Sequence, residues 1–228
     1  MCYKDWTIED WKRVIWSDES SIWIGVNPRR QWIIRAPGER FDKKFIKKTF
    51  KSQQVKIMVW ACFTGERLGP LIVCEEGGVG AGEYQEILYD GLFSLIDDLL
   101  EPPEDHGMIQ VADENTFVFM QDNATCHKAT EILEFLEENH VPTMEWPPQS
   151  PDLNPLENLW VEFKAAFHEC FVTMFGYPSK SPEARYHYGE VLQKVWYELG
   201  QDLVDALIES MPRRVQAVID AEGGWTKY

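Results

Sequence analysis

The sequence predicts an α/β fold, a mixed β-sheet flanked by α-helices, on three observations. Apolar, β-rich runs crowd the first third of the chain, and later runs alternate with segments of helical period. Two of the runs show almost no polar alternation, the pattern of strands buried on both faces. At 228 residues, 44% hydrophobic and 13% aromatic, the chain can bury a sizeable core, and it reads as a single domain over 1–228.

Taken in order, Trp6 to Trp11 is a short helical lead-in that Thr7 can cap. Arg13 to Ser20 is a first strand and Ser21 to Val26 a second, reached through a tight turn and broken by Asn27-Pro28. Gln31 to Arg35 is a further short strand. Lys56 to Phe63 and Leu68 to Cys74 pair as a hairpin around Thr64-Gly65-Glu66-Arg67. The glycine-rich stretch from Gly77 to Gly82 lacks the Gly-Lys-Ser/Thr ending of a phosphate loop and follows two acids, so no nucleotide cofactor is expected. It opens a helix from Glu83 to Leu100 with Tyr84, Ile87, Leu88, Leu92, Leu95, Ile96 and Leu99 on the buried face.

Pro102-Pro103 ends that helix, and a polar loop leads to a strand from Thr116 to Gln121. Lys128 to Asn139 is amphipathic through Ile132, Leu133, Phe135 and Leu136, and Val141 to Trp146 is a short last strand. A helix from Pro155 to about Phe171 turns Leu156, Leu159, Trp160, Phe163, Phe167 and Phe171 inward. Gly176 to Pro182 breaks it; one or two helices from Glu183 to Met211 and another from Pro212 to Ala221 complete the chain.

The five cysteines are scattered and lack Cys-x-x-Cys spacing, so neither a disulfide framework nor a zinc site is indicated. No secretory leader and no membrane-spanning run is evident. Net charge is −16, unfavourable for a partner of nucleic acid, yet it is segregated. From Arg29 to Lys56 ten basic residues face two acidic ones, a local +8 that leaves −24 for the remainder. Arg29, Arg30, Arg35, Arg40, Lys43, Lys44, Lys47, Lys48 and Lys51, interleaved with Trp32 and Phe41, are the candidate DNA or partner contacts, against the plainer reading of a solvated basic loop.

Three acids carry the chemistry. Asp18 and Asp122 each lie at or near the end of a buried strand, where an ionised carboxylate is costly unless paired or metal-bound. Only Arg13 shares a run with either of them. Glu157 falls three residues after Asn154, whose side chain suits an N-cap, with Pro155 at the first helical position. Glu157 therefore either completes a capping box or joins the two aspartates in an all-oxygen site for a hard divalent ion. Glu19 rivals Asp18, but adjacent strand residues face opposite ways. Asp152 reads as a turn residue. His127 either orients a phosphate or water or is a surface histidine near a helix start.

The segments WSDES, QDNATCHKA and SPDLNPLENLW, with thirty-four residues between Asp122 and Glu157 and a tail reading SMPRRVQAVIDAEGGWTKY, resemble the mariner-type DDE transposase catalytic domain. The resemblance implies an RNase H-like fold, with Asp18 and Asp122 on neighbouring central strands and Glu157 on a flanking helix. It implies that these three are catalytic and hold two Mg²⁺ or Mn²⁺ ions, with Asn123, His127 and Asn154 supporting them. It also implies cleavage and strand transfer of DNA in the nucleus, with transposon ends and target DNA as partners. The basic insertion at about 27–56 would be a clamp contacting DNA and a partner subunit of a homodimer. Paired helix-turn-helix units that recognise transposon ends precede this domain in the family and are expected to be absent here. The alternative is a catalytically silent or domesticated module that binds DNA or protein.

Overall fold

The computed structural model describes residues 3–24, 54–75, 78–100, 116–174 and 179–228. Its central strand β1 (Val14–Ile24) is continuous over 11 residues, where the sequence predicted two strands and a turn. The turn does not form because Ser20 and Ser21 pair with Val59 and Met58 of β2 (Val55–Phe63) without a break in register. β3 (Leu68–Val73) extends the sheet as the second arm of the predicted hairpin, antiparallel to β2. β4 (Val118–Met120) lies parallel along the other edge of β1, giving the order β3-β2-β1-β4. Of the strand predicted over Val141 to Trp146, one parallel bridge between Phe119 and Thr143 is formed.

The lead-in helix α1 (Ile8–Lys12) starts as its sequence dictates: the Thr7 hydroxyl accepts from the Asp10 N–H, and the Asp10 carboxylate accepts from the Thr7 N–H at 2.8 Å. The long helix predicted from Glu83 is a continuous helical segment made of α2 (Ala81–Ile87), a π-helical stretch over Leu88–Phe93 and α3 (Ser94–Leu100). Gly91 in that stretch lies against the Trp60 ring, where a methyl group would stand 2.5 Å from the indole. Leu99 is half-buried rather than buried. In α4 (Thr130–Glu138) Ile132 and Leu136, four apart, face the core, while Leu133 is turned about a hundred degrees away and is half-exposed.

α5 (Leu156–Met174) runs past the predicted end at Phe171 and is followed by α6 (Pro182–Tyr197) and α7 (Gln201–Asp220). Pro212 lies inside α7 instead of opening a new helix. The lost N–H is tolerated because Ile208, Met211 and Val215 around it are buried in the core that α7 shares with α1 and α5. Alternate residues of the strands feed two cores. Val14, Trp16, Val59, Ala61 and Phe63 pack under α5, α6 and α7, whereas Ile15, Trp60 and Cys62 pack under α2 to α4. The predicted strand from Gln31 to Arg35 and the basic residues from Arg29 to Lys51 fall outside the described residues. No described helix is long and apolar enough to cross a membrane.

Candidate active site

The two-residue period of β1 sends its adjacent acids to opposite faces. Asp18, opposite the small Ala61 on β2, points to the face covered by α5, where its Oδ2 accepts from Trp160 Nε1 at 3.1 Å. Burial, and then the charges of Glu157 and Glu19, push its carboxyl up to about 8, against the opposing pull of the Trp160 bond. At neutral pH Asp18 is therefore mostly a neutral acid. That is the response of a carboxylate asked to ionise in a poorly solvated place beside other carboxylates.

Glu157 reaches the same place from the start of α5. Pro151–Leu153 form a single 3-10 turn, after which the buried Asn154 accepts from the Leu156 N–H through Oδ1 at 3.1 Å, so the cap expected of Asn154 is made. The other half of a capping box is not. Among the described residues, the exposed Glu157 carboxylate has no hydrogen-bond partner. Its electrostatic partners are Asp18 and, further along the same helix, the half-buried Lys164. Burial lowers the Lys164 ammonium, and Glu157 and Asp18 oppose that drift.

Asp122 follows β4. Trp16 is level with Met120 at the end of the parallel register and, as Asp18 lies two residues past Trp16 on β1, Asp122 lies two residues past that end. Its side chain is held elsewhere: Oδ1 accepts from the Ala124 N–H at 2.8 Å and lies 2.7 Å from His127 Nδ1. The turn from Ala124 folds His127 back onto Asp122, and the ring's Nε2 stands 3.3 Å from Glu19 Oε1 on the far face of β1. Tyr84 of α2 stacks on the imidazole at 4.1 Å and donates its hydroxyl to Gln121 Oε1. Burial pulls the His127 ring down, but the bonds to Asp122 and Glu19 outweigh it and lift the imidazole to about 10. The His127 bond in turn lowers Asp122. His127 is an imidazolium between two carboxylates, 3% exposed, and not the surface histidine that was one of its two readings.

Asp18 and Glu157 thus share one electrostatic environment, while Asp122, just past the end of β4, is turned toward His127. Among the described residues, no three of His, Cys, Asp and Glu are close enough to hold a metal as they stand. In kind the donors fit a hard divalent ion: all are carboxylate oxygens, and burial together with the charges of Glu157 and Glu19 disfavours ionisation of Asp18 when no such ion is bound. Asn123 donates to the Trp146 carbonyl at 2.8 Å and fixes the strand exit, and Asp152 lies in the turn as expected. Sequence reasoning weighed Glu19 only as a rival of Asp18 and missed its pairing with His127, and it missed the contact of Trp160 with Asp18. The signal for Glu19 was present, since a second acid on a buried strand needs a partner on the back face. Trp160, three residues after Glu157, read only as core.

The family model for the DDE superfamily endonuclease matches residues 13–173. The chain is 32% identical over 230 residues to the Transposable element Tc1 transposase of Caenorhabditis elegans, covering 98% of this chain and 73% of that one. Against the Transposable element Tcb2 transposase of Caenorhabditis briggsae it is 31% identical over 98% of its length. Among solved structures, the Mos1 mariner paired-end complex with Mn superposes with a TM-score of 0.69 at 18% identity, over 99% of this chain and 60% of that one. The catalytic domain of Mos1 mariner transposase superposes with a TM-score of 0.61 over 99% and 89%. The fold is therefore the mixed-sheet, RNase H-like architecture of that catalytic domain. The chain spans less than two thirds of the protein in the paired-end complexes.

Proposed function

Because the chain belongs to the DDE superfamily endonuclease family and is homologous to Tc1-type transposases, we propose that it is a polynucleotidyl transferase that cleaves DNA strands and transfers them. Asp18, Asp122 and Glu157 are its catalytic carboxylates, and the ligands of two Mg²⁺ or Mn²⁺ ions. The observation that carries this reading is the placement of Asp18: on β1 and bonded to Trp160 of α5, the helix that opens on Glu157, with Asp122 just past the end of β4, the strand parallel to β1. Solved Mos1 catalytic domains with Mg and with Mn support the choice of ions. Mos1 structures with transposon-end DNA support DNA as the partner. The proposal extends to a homodimer, to target DNA as a second partner and to a nuclear location.

Bound divalent ions supply the positive charge for activating the attacking oxygen and for stabilising the leaving oxygen of an in-line phosphodiester displacement. The chain's own contribution is to bind and orient. Asp18 must release its proton before its carboxylate can serve as a ligand, and the Trp160 indole N–H holds the Oδ2 atom that remains. His127, charged and buried, keeps Asp122 anionic and fixes its rotamer. Glu19, on the other side of the imidazolium, balances it. The basic segment from Arg29 to Lys56 supplies the phosphate contacts, since the rest of the chain carries −24 and repels DNA.

End-labelled duplex DNA incubated with the protein in Mg²⁺, Mn²⁺ or EDTA tests the proposal. Nicking or strand transfer is expected in either metal, none in EDTA, and none from Asp18→Asn. Cleavage indifferent to EDTA, or an active Asp18→Asn, would contradict it.

A further inference from the structure

Arg214 of α7 is 2% exposed, and among the described residues no carboxylate lies within ion-pair distance of its guanidinium. Its three donor positions are all used. Nε donates to Ser210 Oγ at 2.7 Å, Nη1 to the Asp152 carbonyl at 2.9 Å and Nη2 to Asn158 Oδ1 at 2.6 Å. The guanidinium also lies 4.8 Å over the Tyr228 ring, and Thr226 Oγ1 donates to Asp152 Oδ2 at 2.9 Å. Burying a guanidinium is costly, and here the cost is offset by these hydrogen bonds and by the charges of Tyr228 and Asp152. What this one does is geometric.

Asp152 and Asn158 bracket Glu157, one on the turn before α5 and the other immediately after the glutamate. The Glu157 side chain has no hydrogen bond of its own among the described residues, so its place is set by the backbone on either side of it. The fork of Arg214 grips both sides at once. We propose that Arg214, backed by Thr226 and Tyr228, is a positioning residue for Glu157, a clamp from α7 that sets where the third carboxylate meets the cation. This rests on the reading of Glu157 as a metal ligand. Groups that hold a ligand in place commonly change metal affinity by about 10–100-fold when removed.

The test is a Mn²⁺ titration followed by the rise in melting temperature, with cleavage measured across the same series, for the wild-type chain, Arg214→Lys, Thr226→Ala/Tyr228→Ala and Glu157→Gln. Lysine keeps the charge but loses the two-sided fork. The clamp predicts that Arg214→Lys raises the Mn²⁺ midpoint about tenfold while cleavage at saturating Mn²⁺ stays near wild type. Thr226→Ala/Tyr228→Ala should move the midpoint in the same direction by less, and Arg214→Lys should add nothing further in a Glu157→Gln background. If Glu157→Gln moves the midpoint and Arg214→Lys lowers only the metal-free melting temperature, the clamp is overturned and the ligand reading stands. If Glu157→Gln leaves the midpoint unmoved, the ligand reading falls and takes the clamp with it. Should Arg214→Lys fail to fold, an unmoved midpoint in Thr226→Ala/Tyr228→Ala overturns the clamp.

Discussion

Asp18 and Glu19 are adjacent acids on one strand, yet they meet opposite fates. Glu19 faces α2 and α4, where an imidazolium stands 3.3 Å away and shares its charge with Asp122. Asp18 faces α5, where it meets an indole N–H and a second carboxylate, and it holds its proton to about 8. One face of the strand carries a buried imidazolium between two carboxylates; on the other, the cation coupled to the acids among the described residues is the half-buried Lys164 of α5. The difference teaches how the site divides its work: the Glu19 side is fixed in advance and orients Asp122, whereas the Asp18 side is left to attract a cation from solution.

Losing a group from each face gives the largest contrast. Asp18→Asn should reduce cleavage by well over about a hundredfold, beyond the 10–100-fold range of a ligand's supporting partners. Glu19→Gln acts only through His127 and should fall within that range. Equal losses in steady-state cleavage assays would erase the distinction between the faces.

His127→Gln comes next, because it removes the cation from the fixed side. Asp122 then loses its closest charged partner, and the Mn²⁺ midpoint should rise by about tenfold or more. Calorimetric titration reads this directly, and an unchanged affinity would mean that Asp122 needs no holding.

The two faces also titrate in different windows. Asp18 is raised from 3.8 to about 8 on folding, so between those values the native state binds a proton that the unfolded chain does not. Its contribution to stability is full below about 4 and is lost as pH rises to about 8. His127 is raised from 6.5 to about 10, so its contribution is full below 6.5 and is lost as pH rises through 10. Urea melts of the metal-free protein between pH 5 and 6.5 should therefore show wild type losing stability relative to Asp18→Asn while His127→Gln runs parallel to wild type. Parallel curves for wild type and Asp18→Asn in that range would show that Asp18 is already ionised.

The smallest effect on the two faces is expected from the basic segment. Changing Lys43, Lys44, Lys47 and Lys48 to Ala should weaken DNA binding and reduce its salt slope by up to about one for each phosphate that is no longer neutralised. Metal affinity should not move.

Much of this was legible in the sequence because local chemistry decides it. Thr7 and Asp10 cap α1, the Thr64–Arg67 turn makes the hairpin, Asn154 caps α5, and the strand period separates Asp18 from Glu19. What was missed depends on partners distant in the chain. The turn expected at Ser20-Ser21 was overridden by pairing with β2, and Pro212 was kept helical by packing beneath it. His127 was open between two roles until the fold brought Glu19 to its other nitrogen from 108 residues away. Arg214 carried no local signal, since its partners are 56 and 62 residues distant.

The central claim is that Asp18 surrenders a proton to a divalent cation that Glu157 and Asp122 help to hold. Mn²⁺ binding measured calorimetrically at pH 7 in two buffers of different ionisation enthalpy counts the protons released. The account predicts close to one proton released per protein by wild type and close to none by Asp18→Asn, with weaker binding in that variant. Mn²⁺ binding by wild type without proton release, or release that persists in Asp18→Asn, would contradict it.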